Sequence, residues 1–415
     1  MDITVKKSEI DGEATPPPSK SYTHRAFISA SLSKKSSIFN PLLSGDTLAT
    51  LRACKKIGAG FIRKGNSFEF LGAEEIRGGY FNFENSGTTL RIFTALLSLC
   101  PNASTLDGDD SLRTRPNGEL VSALKSLGAF AKGDEKFRAP FRIKGVIRGG
   151  EVAMRAESSQ FVSALLFSLP LAKGDSKLRI ISTKSRPYID ITLDVLEKSG
   201  VEIERTEESF LIPGEQEFRL KKFEIPSDFS SASYLIAAGI LAGEVRILNA
   251  FDSMQGDKRI VEICREMGAE VSWNKEKGVI VAKKSELSAI SFDAGDTPDL
   301  VPTVAVLCAV ANGVSEIYNA EHLRIKEIDR ISGICRNLRA LGVEVEEKRD
   351  GLRIKGGRKE FFGTVESFGD HRMALAFSLL GLLGEVKCRN AEVVSVSYPG
   401  FFEDLRRIGA RVEFA

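Results

Sequence analysis

Histidine is scarce in this 415-residue chain, which has three, and tryptophan occurs once. Three imidazoles cannot build a histidine-rich metal site, so that chemistry is excluded. The six cysteines (54, 100, 264, 308, 335 and 388) include no CxxC pair, and most lie inside apolar helical runs. That pattern excludes a disulfide framework and a zinc ribbon, and reads as buried thiols in a reducing cytosol. Neither sign of charge predominates. Fifty-eight basic against 56 acidic residues leave +2, so no global field draws the chain to nucleic acid or a membrane surface. The longest apolar runs, Ala232–Gly243 and Met373–Gly384, are about a dozen residues, short of the ~20 that span a bilayer. The opening MDITVKKSEI has no apolar signal segment, and no Gly/Ser/Pro-rich linker divides the chain. With 42% hydrophobic and 27% charged residues, the composition is that of a soluble globular protein of two or three domains. The expectation is a cytoplasmic protein without metal or cofactor.

An internal period is the strongest positive feature. An amphipathic segment runs into apolar–Gly–Ala/Val and then a β-like stretch in ACKKIGAGF, ALKSLGAF, VLEKSGVEIE, ICREMGAEVS, NLRALGVEVE and DLRRIGARVEF. Their glycines, at 58, 128, 200, 268, 342 and 409, are 67 to 74 residues apart. Each stands where a helix ends in a left-handed residue before a strand. A second series has the same period: SKSYTHRAFISASL, NSGTTLRIFTALLSL, SSQFVSALLFSLPLA, DFSSASYLIAAGIL, TPDLVPTVAVLCAVA and GDHRMALAFSLLGLL. These helices are apolar almost all round, which predicts burial. Each repeat of about 70 residues therefore reads as strand, buried helix, strand, outer helix, strand. Six repeats make two domains of three, with helices inside and sheets outside.

The polar openings of the buried helices carry the chemistry. Free N–H groups and the positive dipole end favour anions at a helix start. Lys20, Ser21 and Arg25 stand at the first start, and Asn85, Ser86, Gly87 and Thr88 at the second, with Arg91 one turn in. Ser158, Ser159 and Gln160 open the third, Asp299 the fifth, and Asp370, His371 and Arg372 the sixth. Outer-helix starts (RTRPNGEL, SRPYIDI, RIKEIDRI) add Arg115, Lys326 and Arg330. Singly, such residues are N-caps, as Asp46 and Asp228 are expected to be, or helix-surface ion pairs, as Glu327 with Arg330. Recurrence at one repeat position points instead to a strongly cationic cleft with a few carboxylates, for substrates bearing phosphates and carboxylates.

In order along the whole chain, PPPSKSYTHRA, NSGTTLR, DDSLRTRP, SSQFVSALL, SRPYIDIT, SDFSSASY, TPDLVPT, LRIKEIDRI and GDHRMA resemble the motifs of the 5-enolpyruvylshikimate-3-phosphate synthase family. The resemblance implies an α/β fold of two similar domains, each of three βαβαββ repeats (an inside-out α/β barrel), with the active site in the interdomain cleft. It places residues 1–14 plus 227–415 in one domain and 15–226 in the other. The implied substrates are shikimate 3-phosphate and phosphoenolpyruvate, used by a monomer without cofactor, metal, nucleic acid or membrane.

By motif position, Asp299 matches the family's proton acceptor and Glu327 its proton donor, with Lys20 between the substrates. Lys20, Ser21, Arg25, Ser158, Ser159, Gln160, Ser185, Asp299 and Lys326 match the shikimate 3-phosphate contacts. Lys20, Gly87, Arg115, Gln160, Arg330 and Arg372 match those to phosphoenolpyruvate. Two positions depart from the pattern: Val396 stands where many members have a Lys, and His322 where many have an Asn. Members are inhibited by glyphosate when a Gly lies beside the phosphoenolpyruvate site, the place Gly87 takes. The UDP-N-acetylglucosamine enolpyruvyl transferases have the same six-repeat fold. They differ by an Asn where this chain has Ser21 and by a reactive Cys where it has Asp110. RNA 3′-phosphate cyclases have a related repeat but would need nucleotide chemistry through a catalytic His near the C-terminus, and the near-neutral charge, lack of a basic stripe and pattern of phosphate clusters argue against them.

Overall fold

A computed structural model describes residues 1–156 and 158–414. Twelve α-helices occur among them: α1 (Lys20–Leu32), α2 (Gly45–Lys56), α3 (Gly87–Leu97), α4 (Gly118–Ser126), α5 (Ser159–Ser168), α6 (Pro187–Lys198), α7 (Phe229–Ala242), α8 (Ile260–Glu266), α9 (Val301–Val310), α10 (Arg330–Ala340), α11 (His371–Ser378) and α12 (Phe401–Arg407). The odd-numbered helices are the buried ones. All fourteen residues of α7 are buried, as are nine of the ten in α9. Some hydroxyls inside these helices are satisfied locally: Thr94 donates to the Leu90 carbonyl and Ser378 to that of Ala374. Even-numbered helices are apolar on one face only. Each even helix runs out through one of the six periodic glycines, whose φ lies between +72° and +118°. A side chain would be strained there.

The second repeat shows the topology. Tyr80–Asn82 leads into α3, Ser104–Asp107 follows and pairs with it in parallel, and after α4 the strands Phe130–Lys132 and Phe141–Lys144 add on antiparallel. Six four-stranded sheets of this kind occur among the described residues, and none closes on itself. The chain falls into two compact units: a terminal unit of Met1–Pro17 plus the chain from Pro226 onward, and an inserted unit of Pro18–Ile225. Each has its own apolar core and three of the sheets.

The two crossings exchange strands. Ile10–Ala14, just before α1, pairs in parallel with Gly243–Ile247, just after α7. Lys222–Glu224, just before α7, pairs in parallel with Lys35–Phe39, just after α1. The N-terminal strand Ile3–Lys6 lies between Glu385–Arg389 and Arg411–Phe414, completing the last repeat's sheet. Proline marks both crossings, at Pro16–Pro18 and Pro226, where a residue without an N–H stops helix and ladder alike.

Side chains of Ser19, Ser86, Ser158, Asp228 and Asp370 cap α1, α3, α5, α7 and α11. Two details differ from the sequence reading. Asp46 is not a cap: Ser44 takes that place on α2, and Asp46 lies within the first turn. Asp299 does not open α9 but sits in the 3-10 turn Pro298–Leu300 before it. With Pro298 and Pro302 lacking N–H groups, that start asks little of a cap, and the Asp299 carboxylate turns to arginines instead.

Candidate active site

In the inserted unit the starts of the buried helices α3 and α5 are tied together. Gln160, on the first turn of α5, donates from Nε2 to Thr88 Oγ1 at 3.1 Å and accepts from Arg91 Nη1, both on α3. Arg115 follows the 3-10 turn Leu112–Thr114 and donates from Nη2 to Asn85 Oδ1 (2.7 Å) and Ser111 Oγ (3.1 Å). Its Nε is buried with no hydrogen-bond partner among the described residues. All of this surrounds Gly87. A Cβ built there would lie 3.2 Å from Arg115 Nη1 and 3.4 Å from Gln160 Oε1. The bare backbone of Gly87 thus leaves room beside a guanidinium and an amide.

Lys20, the first residue of α1, pairs with Asp46 at 3.1 Å, both mostly shielded from solvent. Arg25 is 1% exposed and makes four hydrogen bonds, to Thr192 Oγ1, the Ser21 carbonyl, Ser163 Oγ and the Tyr188 carbonyl. Burial pulls its pKa down to about 10, which still leaves it charged at neutral pH. Four of its five N–H groups are therefore used within the unit, which makes Arg25 a framework cation more than an open ligand. The Tyr188 N–H in turn bonds the Ser185 carbonyl, and Ser185 itself has φ +59°. Ser158 receives the Gln160 N–H at 3.3 Å, and Ser159 is buried behind it.

In the terminal unit one guanidinium organises three carboxylates. Arg330, 1% exposed at the start of α10, donates from Nε to Asp370 (2.7 Å), from Nη1 to Asp299 (2.8 Å) and from Nη2 to Glu327 (2.6 Å). Asp299 offers its other oxygen to Arg372 Nη2 at 2.7 Å, and Arg372 also reaches the Tyr234 hydroxyl at 3.4 Å. Burial pulls the Arg330 pKa down, but Asp370, Glu327 and Asp299 outweigh it and hold the group above its ordinary value. Burial pushes the Tyr234 phenol up to about 12, so it remains a neutral hydroxyl. Lys326, beside Glu327, ends the 3-10 turn Glu321–Ile325, and His322 lies buried in that turn. Val396 is half-buried in another 3-10 turn, Ala391–Val396, and offers no charge.

Within this unit the few carboxylates weigh more than a count of helix-start cations suggests. Two guanidiniums meet three carboxylates, so the cluster is compensated from inside. An incoming anion would compete with Glu327, at 21% the most exposed of the three. Desolvation explains the arrangement: a buried arginine persists only when its charge is matched.

The sequence reading missed the parts played by Asp370, Asp46 and Asp257. Asp257 is 4% exposed and accepts from Ser230 Oγ on the first turn of α7. Burial, then the negative charge of Asp299, pushes its pKa up to about 7. In an unfolded chain an aspartate titrates near ~3.9. From there to pH 7 the folded protein keeps a proton that the unfolded chain releases, so stability falls as pH rises through that window. Asp257→Asn keeps an acceptor for Ser230 and removes the titration. It should raise Tm by roughly 5–10 °C at pH 8 and much less at pH 5; an equal shift at both contradicts this account.

Six βαβαββ repeats, helices buried and sheets outside, with charged and polar groups gathered at the buried helix starts, define a class of two-unit, inside-out α/β protein. A family model described as EPSP synthase (3-phosphoshikimate 1-carboxyvinyltransferase) matches residues 5–405, and the chain belongs to that family. It is 64% identical over 413 residues to the 3-phosphoshikimate 1-carboxyvinyltransferase of Archaeoglobus fulgidus, covering 99% of both chains. It is 45% identical to that of Methanosarcina acetivorans, covering 100% of this chain and 99% of the other. The solved structure of EPSP synthase from Acinetobacter baumannii superposes with a TM-score of 0.84 over 100% of both chains at 25% identity.

Proposed function

We propose that the protein transfers the enolpyruvyl group of phosphoenolpyruvate to the 5-hydroxyl of shikimate 3-phosphate, releasing phosphate. The observation that carries this reading is the pair Asp299 and Glu327 on one buried guanidinium. The reaction must take a proton from a hydroxyl and deliver one to a carbon, which calls for a base and an acid in fixed relation. The names of the relatives support the substrate pair.

In the first step Glu327 has taken a proton from solvent and gives it to C3 of phosphoenolpyruvate, the 5-hydroxyl oxygen bonds to C2, and Asp299 accepts the hydroxyl proton. In the second the C2–O bond to phosphate breaks and C3 returns a proton, restoring the double bond. Lys20, Gly87, Arg115, Gln160, Arg330 and Arg372 are the proposed holders of phosphoenolpyruvate. Lys20, Ser21, Ser158, Ser159, Gln160, Ser185, Asp299 and Lys326 are those of shikimate 3-phosphate, with Arg25 contributing its charge and one remaining N–H. Planar guanidiniums suit both phosphate and carboxylate, since two parallel N–H groups meet two oxygens. Aromatic biosynthesis in the cytoplasm, by a monomer, is the setting this reading gives.

Phosphate release measured with both substrates, and with each omitted in turn, tests the reading. Release that requires both supports it. Release with UDP-N-acetylglucosamine as acceptor, or none with either acceptor, overturns it. Gly87→Ala gives a narrower check. The added methyl meets only the ends of flexible side chains, so Tm should hold within a few degrees. It would, however, occupy the space beside Arg115, and KM for phosphoenolpyruvate should rise about 10-fold. An unchanged KM would remove Gly87 from the site.

A further inference from the structure

A buried chain of hydroxyls in the inserted unit runs from α1 to the start of α3. His24, on α1 one turn beyond Lys20, has Nδ1 2.6 Å from Thr50 Oγ1 on α2. Thr50 Oγ1 is 2.6 Å from Thr89 Oγ1 on α3, and Thr89 Oγ1 is 2.5 Å from Ser86 Oγ. Ser86 also receives the Thr89 N–H at 3.3 Å, as the N-cap of α3. Thr50 has one further partner, the Asp46 carbonyl at 3.3 Å, and the Asp46 carboxylate is the one that pairs with Lys20. His24, Thr50, Thr89 and Ser86 are all 2% exposed or less. At that burial, breaking one link leaves a polar group without its partner.

We propose that His24, Thr50 and Thr89 are positioning residues that hold the Ser86–Gly87 start of α3 in register with Lys20 and Asp46. They touch neither substrate in the roles set out above; they fix the backbone that does. The proposal rests on the enolpyruvyl-transfer reading for its catalytic consequence. Burial is what makes the chain stiff. His24 is held well below its ordinary pKa by burial, then by Lys20 and Arg25. A neutral ring brings one donor and one acceptor, which a line of hydroxyls can match in either sense. Each hydroxyl has one proton to give, so a shift of Ser86 would have to be passed along every link. A helix start held in this way keeps the Gly87 backbone at a fixed distance from Arg115 and Gln160, where a displacement of about 1 Å is enough to weaken catalysis ~100-fold.

Thr50→Val keeps the shape and deletes the central hydroxyl, whereas Thr50→Ser keeps the hydroxyl and deletes the methyl. Two readouts apply: amide hydrogen exchange over residues 87–90, and the KM values of both substrates. Thr50→Val should speed exchange at the start of α3 at least 10-fold and raise KM for phosphoenolpyruvate about 10-fold. KM for shikimate 3-phosphate should stay within twofold, and Thr50→Ser should resemble the parent. Loss of stability with both KM values unchanged would mean that the chain is only structural, and would overturn the proposal. So would unchanged exchange. If Thr50→Val does not fold, His24→Leu against His24→Asn decides on the same readouts, since the amide can restore the link. If the parent protein fails to turn over the substrate pair, the functional reading fails, and exchange alone decides whether the chain holds the helix start.

Discussion

Arg330→Met is expected to destabilise the terminal unit by about 3–5 kcal/mol, because it removes the one partner common to three shielded carboxylates. Asp370, at 0% exposure, would lose its ion pair and keep its α11 cap interaction, and Asp299 would keep its bond to Arg372 but lose that to Arg330. For a unit of this size that corresponds to a Tm lower by roughly 10 °C. Turnover should fall by at least about 1,000-fold, since the proposed acid and base both lose their anchor. Arg330→Lys separates charge from geometry. A lysine restores one positive charge but cannot direct separate N–H groups at Asp370, Asp299 and Glu327. It should recover part of the stability and little of the activity. Calorimetric Tm and kcat for the two variants check this, and an Arg330→Met protein as stable as the parent contradicts it.

The second large effect is on chemistry without the fold. Asp299→Asn and Glu327→Gln should each lower kcat about 100- to 10,000-fold, the range for loss of a positioned acid or base. Neither should unfold the unit. Without the Asp299 charge, Arg330 still has Asp370 and Glu327; without that of Glu327, it still has Asp370 and Asp299. Tm within a few degrees of the parent, with kcat reduced and KM little changed, would place the loss in the transition state. A Glu327→Gln protein with near-normal turnover would remove it from the proton-donor role.

Much of this architecture could be read from the chain because its repeat is written in residues that have few alternatives. Glycines every 67 to 74 residues mark helix exits, since other residues avoid φ above zero. Serines and aspartates before apolar runs mark the buried helix starts, and five of these side chains do cap α1, α3, α5, α7 and α11. The partnership of Arg330 with Asp299 and Asp370, 31 and 40 residues away, could not be read. Only packing three repeats around one core brings those starts within bonding distance. The same holds for His24 and Thr89, which look like ordinary helix residues until α2 supplies the hydroxyl between them. Asp257 was within reach. The outer-helix position that holds Arg115, Arg186 and Arg330 recurs every 71 to 73 residues and passes through Asp257. An acid in a place where other repeats have a cation is a signal in itself.

The compensation within the cluster follows from the same physics. Counting side chains at helix starts shows which charges are near, but not which are paired. Arg330 and Arg372 are already matched by carboxylates, so substrate anions must compete for them. In Arg115 the Nε is without a partner among the described residues, which leaves that arginine open to a new anion.

On the proposed mechanism, the Arg330 cluster supplies the proton that C3 of phosphoenolpyruvate receives. Running the reaction in D2O with shikimate 3-phosphate, and following deuterium at C3 of recovered substrate and product by mass spectrometry, shows where that proton comes from. The parent protein should place deuterium at C3 on the timescale of turnover, and Glu327→Gln should show none over many parent turnover times. Deuterium entering C3 at the parent rate in Glu327→Gln would contradict the account, and the donor would then have to be sought elsewhere.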